Sequence, residues 1–124
     1  MKHISTGSVF EATMGYSRAV VKGGWCFVSG VTGYDYATMQ MPINIADQAR
    51  NCFATIDDVL LQAGFTRADI VRVQYTVVAA DLVVDLIPVL GDMLGTIRPA
   101  ATMIIAGLIR PEMLVEIEVT AFKG

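Results

Sequence analysis

Histidine is almost absent from this 124-residue chain: His3 is the only one. A multi-histidine metal site is therefore excluded. A Ser-His-Asp or Cys-His pair would depend on that single ring, near a terminus that reads as frayed and exposed. Cysteine is scarce as well. Cys26 and Cys52 form no C-x-x-C and no zinc ligand set, and both sit in apolar patterns as buried thiols. Charge is thin at 17%, against a usual share of about 25%. Nine Lys plus Arg against twelve Asp plus Glu give −3 and a pI near 4.9. No basic stripe is present, so a dedicated nucleic-acid binder is not expected. No apolar run approaches the ~18 residues of a membrane span; the greasiest, residues 82–90, contains Asp85 and Pro88. The first residues do not read as a signal peptide, and no disulfide is needed, which fits a reducing cytoplasm. Gly23, Gly24, Gly30 and Gly33 match neither a dinucleotide nor a P-loop fingerprint. Nothing calls for a cofactor.

What is present is apolar: 54% hydrophobic residues and a mean hydropathy of +0.55. Disorder is excluded, and 124 residues suffice for one domain spanning 1–124. The surplus apolar surface needs burial beyond a monomer's core, and a subunit interface supplies it.

Periodicity gives the elements. Residues 16–22, Gly23-Gly24 and 25–30 read as a β-hairpin. Residues 31–44 read as a loop with room for a short strand. Ala46, Ala49, Phe53, Ile56, Leu60 and Ala63 recur at helical spacing, with Asn44 or Asp47 to begin the helix and Gly64 to end it. Residues 70–79 alternate as a strand, with Val71, Val73, Tyr75 and Val77 on one face. Asp81 is a candidate N-cap for a second helix to Leu94, with a kink or broken turn at Pro88. Residues 101–106 and 115–122 complete the strands. Two helices cover one face of a five- to six-stranded sheet, and the other face is left for a partner.

The segments R-P-A-A-T at 98–102, L-I-R-P-E at 108–112 and V-E-I-E-V-T-A at 115–121 resemble the Rid family. These are the YjgF-like reactive-intermediate (imine/enamine) deaminases, often labelled endoribonuclease L-PSP. G-Y-S at 15–17, V-S-G at 28–30 and the helix from Gln48 extend the resemblance over nearly the whole chain. It implies a chorismate-mutase-like α+β fold and a homotrimer with a small-molecule cleft at each subunit interface. Carried over by position, that cleft draws on Tyr16, Ser29, Gly30 and Glu116, with Ala101 and Thr102 at its edge. In deaminating members an arginine in P-A-R-[ST] grips the substrate carboxylate, and the first glutamate of V-E-I-E helps position the attacking water. Here the arginine position is Ala101, and a further polar family position falls on Val89.

Each candidate has a plainer reading. Glu116 is a water-holding carboxylate or an interface ion pair. Glu118 is a partner for Arg72, or a like-charged neighbour that raises one carboxyl pKa. Arg18 or Arg98 replaces the missing guanidinium, or forms a surface pair. Residues 32–35 are a lid, or a turn with Gly33 at positive φ. The expected function is a trimer that acts hydrolytically on, or binds, a small metabolite and is not a standard 2-imino-acid deaminase. The alternatives are a non-catalytic ligand-binding or regulatory protein, then an imine deaminase or endoribonuclease. Neither nucleic acid nor membrane is an expected partner.

Overall fold

The computed structural model describes all 124 residues. Its longest element is α2, Ile45–Ala63. Asn44 starts it by accepting from the Asp47 N–H at 2.8 Å, and Gly64 stops it in the left-handed conformation at φ 84°. The helix buries Ala49, Cys52, Phe53, Ile56, Val59 and Leu60. They pack on a sheet of β1 (Lys2–Ile4), β2 (Ala19–Lys22), β3 (Trp25–Thr32), β4 (Ile70–Val77), β5 (Ala100–Ile105) and β6 (Val115–Phe122). The strand order is β1-β2-β3-β6-β4-β5. Only β4 and β5 pair in parallel, so the sheet is mixed.

The second long helix, α3 (Val83–Leu94), lies beside α2 on the same face. One cluster of 24 buried residues fills the space between these helices and the sheet. In β6 the alternation is complete: Val115, Ile117, Val119 and Ala121 are buried, while Glu116, Glu118, Thr120 and Phe122 point to the open face. That face carries Trp25 and Phe27, 43% and 48% exposed, stacked on each other, with Phe122 against Trp25. β5 is exposed along its whole length and forms one edge. No helix is long and apolar enough to cross a membrane.

Several expectations change. His3 is exposed but not frayed: it pairs with Val20 in β1, and its Nδ1 lies 2.9 Å from Ser17 Oγ. A short helix, α1 (Val9–Met14), precedes the hairpin, capped by Ser8 and ended by Gly15 at φ 73°. The first hairpin strand begins at Ala19, so Tyr16 and Arg18 precede it. β3 runs on through Val31 and Thr32, and residues 33–44 hold only an isolated bridge, Asp35 to Gln40. A register shift between Ile70 and Arg72 turns Val71 outward and buries Ile70 in its stead. Asp81 does not cap α3; it lies in a 3₁₀ turn, Ala80–Leu82, that leads into the helix. Pro88 sits inside α3 without interrupting it.

Candidate functional site

The site grows out of an irregularity in β3. Its pairing with β6 shifts register between Val28 and Val31, so Ser29 and Gly30 bulge. Beyond the shift Thr32 pairs with Glu116, and Thr76 of β4 flanks Glu116 on the other side. The Glu116 carboxylate lies against Gly30. A methyl group there would stand 2.5 Å from Glu116 Cδ and 2.8 Å from each carboxylate oxygen. Gly30 is thus required by close approach, not by a positive φ.

Over this end of the open face fold α1 and the 106–114 segment. Together they enclose a cleft of about 640 Å³. Glu116, Glu118, Ser29, Gly30, Thr32 and Thr76 form its sheet floor, with Tyr16 and Tyr36 beside them. Phe10, Met14, Leu108, Ile109 and Met113 form an apolar wall. Gln48 of α2 fixes that wall. Its Nε2 donates to the carbonyls of Pro42 and Glu112 at 2.8 and 2.9 Å, and its Oε1 accepts from the Leu114 N–H at 2.9 Å. The Tyr34 hydroxyl donates to Glu112 at 2.6 Å. Gly33 is not at positive φ; its lack of a side chain lets the loop sit on Gln48.

Burial pushes the Glu116 carboxyl above its usual range; Glu118 adds to this and Arg18 opposes it. No donor of the chain is within hydrogen-bonding distance of that carboxylate. Burial also pushes up the Tyr16 hydroxyl and both thiols. The Cys52 Sγ–H donates to the Val31 carbonyl, so the cysteines are core residues without a nucleophile's surroundings. No three His, Cys, Asp or Glu side chains cluster as a metal set.

Of the residues singled out in the sequence, Tyr16, Ser29, Gly30 and Glu116 come together here. Arg18 does not reach the cleft surface. It is fully buried behind the floor, donating from NH1 to the Gly30 carbonyl at 2.7 Å and from NH2 to the Tyr16 hydroxyl at 3.4 Å. Its guanidinium also stacks on the Tyr16 and Tyr36 rings, 5.6 and 5.0 Å from their centroids. Ala101 and Thr102 lie on the edge strand β5, away from Glu116. By register Ala101 pairs with Val73 on the helix side, where it lines a shallow groove with Arg98 and Leu94. Thr102 is on the open face and accepts from Arg72 at 3.4 Å. Arg72 therefore does not pair with Glu118, which stands opposite Gln74. Val89 is buried in the core.

A family model described as Endoribonuclease L-PSP matches residues 6–123. The chain belongs to the Endoribonuclease L-PSP family. A member of the YjgF/YER057c/UK114 family from Mycobacterium tuberculosis is 37% identical, with a TM-score of 0.89 over 98% of both chains. YyfA, a Rid-family protein from Yersinia pestis, is 31% identical, with a TM-score of 0.81 over 87% of both chains. A RutC family protein from Pyrococcus horikoshii is 26% identical over 87% of this chain and 86% of its own. The Rid resemblance read from the closing V-E-I-E-V-T-A and R-P-A-A-T segments is thus correct, as is the α+β fold.

The sequence missed half of this L-PSP-family cleft. Phe10 and Met14 escaped because α1 has only six residues, although Ser8-x-x-Glu11 followed by Gly15 is a start-and-stop pattern. Tyr36, Leu108 and Met113 lie on loops without periodicity. Gln48 sits on the apolar face of α2, where a lone polar residue was the available signal.

Proposed function

We propose that the chain forms a homotrimer whose cleft binds and hydrolyses a small metabolite, with Glu116 holding the attacking water. The carrying observation is the Glu116 carboxylate: half-buried at the floor of a cleft and free of any hydrogen bond from the chain. A carboxylate raised above its usual range is better matched to accepting a proton near neutral pH. Trimerisation is supported by the aromatic cluster on the open face and by the uncovered β5 edge. In such an assembly the edge of a neighbouring copy would bring Ala101 alongside the cleft, and alanine offers no donor to a carboxylate. The protein is therefore not a standard 2-imino-acid deaminase. The family's ribonuclease label finds no support in the cleft, which lacks basic side chains for phosphates. The rival reading, binding without turnover, draws on one fact: no group of the chain orients the Glu116 carboxylate.

The test is a thermal-shift screen of metabolites, followed by hydrolysis assays on the hits and on imines generated in situ by an amino-acid oxidase. The protein used must have the light-scattering mass of three chains. We expect turnover of at least one hit, little acceleration of imine decay, and an acid limb of the pH–rate profile above the usual carboxylate range. Glu116→Gln should lower turnover by roughly 100-fold. Stabilisation without turnover across the hits would favour the binder. A clean monomer would remove the interface, and RNA cleavage lost in Glu116→Gln would restore the ribonuclease.

A further inference from the structure

We infer that Arg18 is the positioning residue of the site: from inside one chain it fixes the Ser29–Gly30 bulge against which the Glu116 carboxylate stands. This rests on the reading that the Glu116 cleft is the working site, and it names the residue that sets the cleft's floor. Arg18 is 0% exposed in the single chain. Its contacts are therefore the chain's own, and a neighbouring copy laid over the cleft adds none to them.

A buried guanidinium is a costly way to fill space. Arg18 belongs to neither ion pair of the chain, and its Nε is buried without a partner. An apolar side chain of similar length would fill the same volume without that cost. What it could not do is hold the bulge. Arg18 NH1 donates to the Gly30 carbonyl at 2.7 Å and leans toward the Ser29 carbonyl at 3.5 Å. The Arg18 carbonyl accepts from the Ser29 N–H at 2.9 Å, and the Ser29 hydroxyl donates to the Ser17 carbonyl at 2.7 Å. On the other side the bulge has no such hold, because the pairing of β3 with β6 lapses between Val28 and Val31. Where Gly30 stands is thus decided from the Arg18 side.

Gly30 in turn places Glu116. A methyl group on Gly30 would stand 2.5 Å from Glu116 Cδ, so the carboxylate rests directly on this backbone. No hydrogen bond turns its oxygens, which stay free to rotate; the place of Cδ is what the contact fixes. The same guanidinium reaches two more parts of the floor. It donates from NH2 to the Tyr16 hydroxyl at 3.4 Å and lies over the Tyr16 and Tyr36 rings. The Tyr36 hydroxyl accepts from the Thr32 N–H at 3.1 Å, and Thr32 is the residue paired with Glu116 in β6. One planar group with several donors therefore ties Tyr16, Gly30 and Tyr36 together behind the carboxylate.

The experiment replaces Arg18 by Met, which keeps an unbranched side chain of similar length and removes the charge and every donor. Arg18→Gln, with a planar amide, is the second variant. Arg18→Met should melt within about 5 °C of the wild type, because it leaves little cavity. Nuclear Overhauser contacts between the Gly30 α-protons and the Glu116 side-chain protons are then compared on labelled protein without ligand. They should be strong in the wild type, lost in Arg18→Met and partly kept in Arg18→Gln. For any metabolite whose turnover falls in Glu116→Gln, Arg18→Met should lower kcat about tenfold or more and leave KM nearly unchanged. Contacts of wild-type strength in folded Arg18→Met, or an unchanged kcat, would overturn the proposal. So would failure of both variants to fold, since the guanidinium would then serve the fold alone. If no turnover depends on Glu116, the cleft reading falls, and the proton contacts still decide whether Arg18 places the carboxylate.

Discussion

Gly30→Ala should lower turnover of the cleft's substrate, or affinity for its ligand, by roughly 100-fold while leaving the fold nearly as stable as before. The added methyl would stand 2.5 Å from Glu116 Cδ, well inside contact distance. Something must move, and the groups met are the end of a glutamate side chain, not backbone. The carboxylate can swing away without unfolding the sheet. Gly30 has no positive φ, so alanine adds no backbone strain. A displacement of about 1 Å in a reacting group can cost on the order of 100-fold in rate. Activity assays beside thermal melts check this. Near-normal activity would mean that the Glu116 position does not matter. A loss of stability above about 2 kcal/mol would mean that Gly30 serves the fold first.

Arg18→Ala should have the opposite signature, a loss of roughly 3 kcal/mol or more of stability, or about 10 °C in Tm. The side chain is fully buried, and its removal leaves a cavity and takes the donor from the Gly30 carbonyl. The Tyr16 and Tyr36 rings lose the cation that lies over them. Arg18→Lys should recover little, because an ammonium cannot stack as a plane while its donors diverge to Gly30 and Tyr16. Urea denaturation of both variants measures the difference. A loss below about 1 kcal/mol in Arg18→Ala would show that the buried guanidinium costs as much as it contributes.

The elements with a strong period were legible from sequence. α2 could be bounded at both ends because Asn44 and Gly64 have cap chemistry and the apolar positions between them keep one face. β6 was legible residue by residue because one of its faces is buried and the other is not. Val71 was misplaced because a bulge adds a residue that alternation does not register. Asp81 failed as a cap because a 3₁₀ turn enters α3 ahead of it. At the site, Tyr16, Ser29, Gly30 and Glu116 were found through resemblance in short motifs, and the fold brings them together. Arg18 was a candidate to replace the missing guanidinium from a strand over 16–22, but no strand begins before Ala19, and its side chain turns inward under Gly30. Within one chain the parallel pairing of β4 and β5 sets Ala101 on the other side of the sheet from Glu116, so any approach of the two belongs to neighbouring copies. Strand order and assembly are not written in local periodicity.

The central claim is that ligands occupy the cleft floored by Glu116. Amide chemical-shift mapping by NMR tests it most directly, using any compound that stabilises the protein in the thermal screen. The largest shifts are expected at Ser29, Gly30, Thr32 and Glu116, with the 107–109 amides following. Shifts confined to the groove of Leu94, Arg98 and Ala101, or to the polar hollow of Thr6, Asp35 and Asn51, would contradict it.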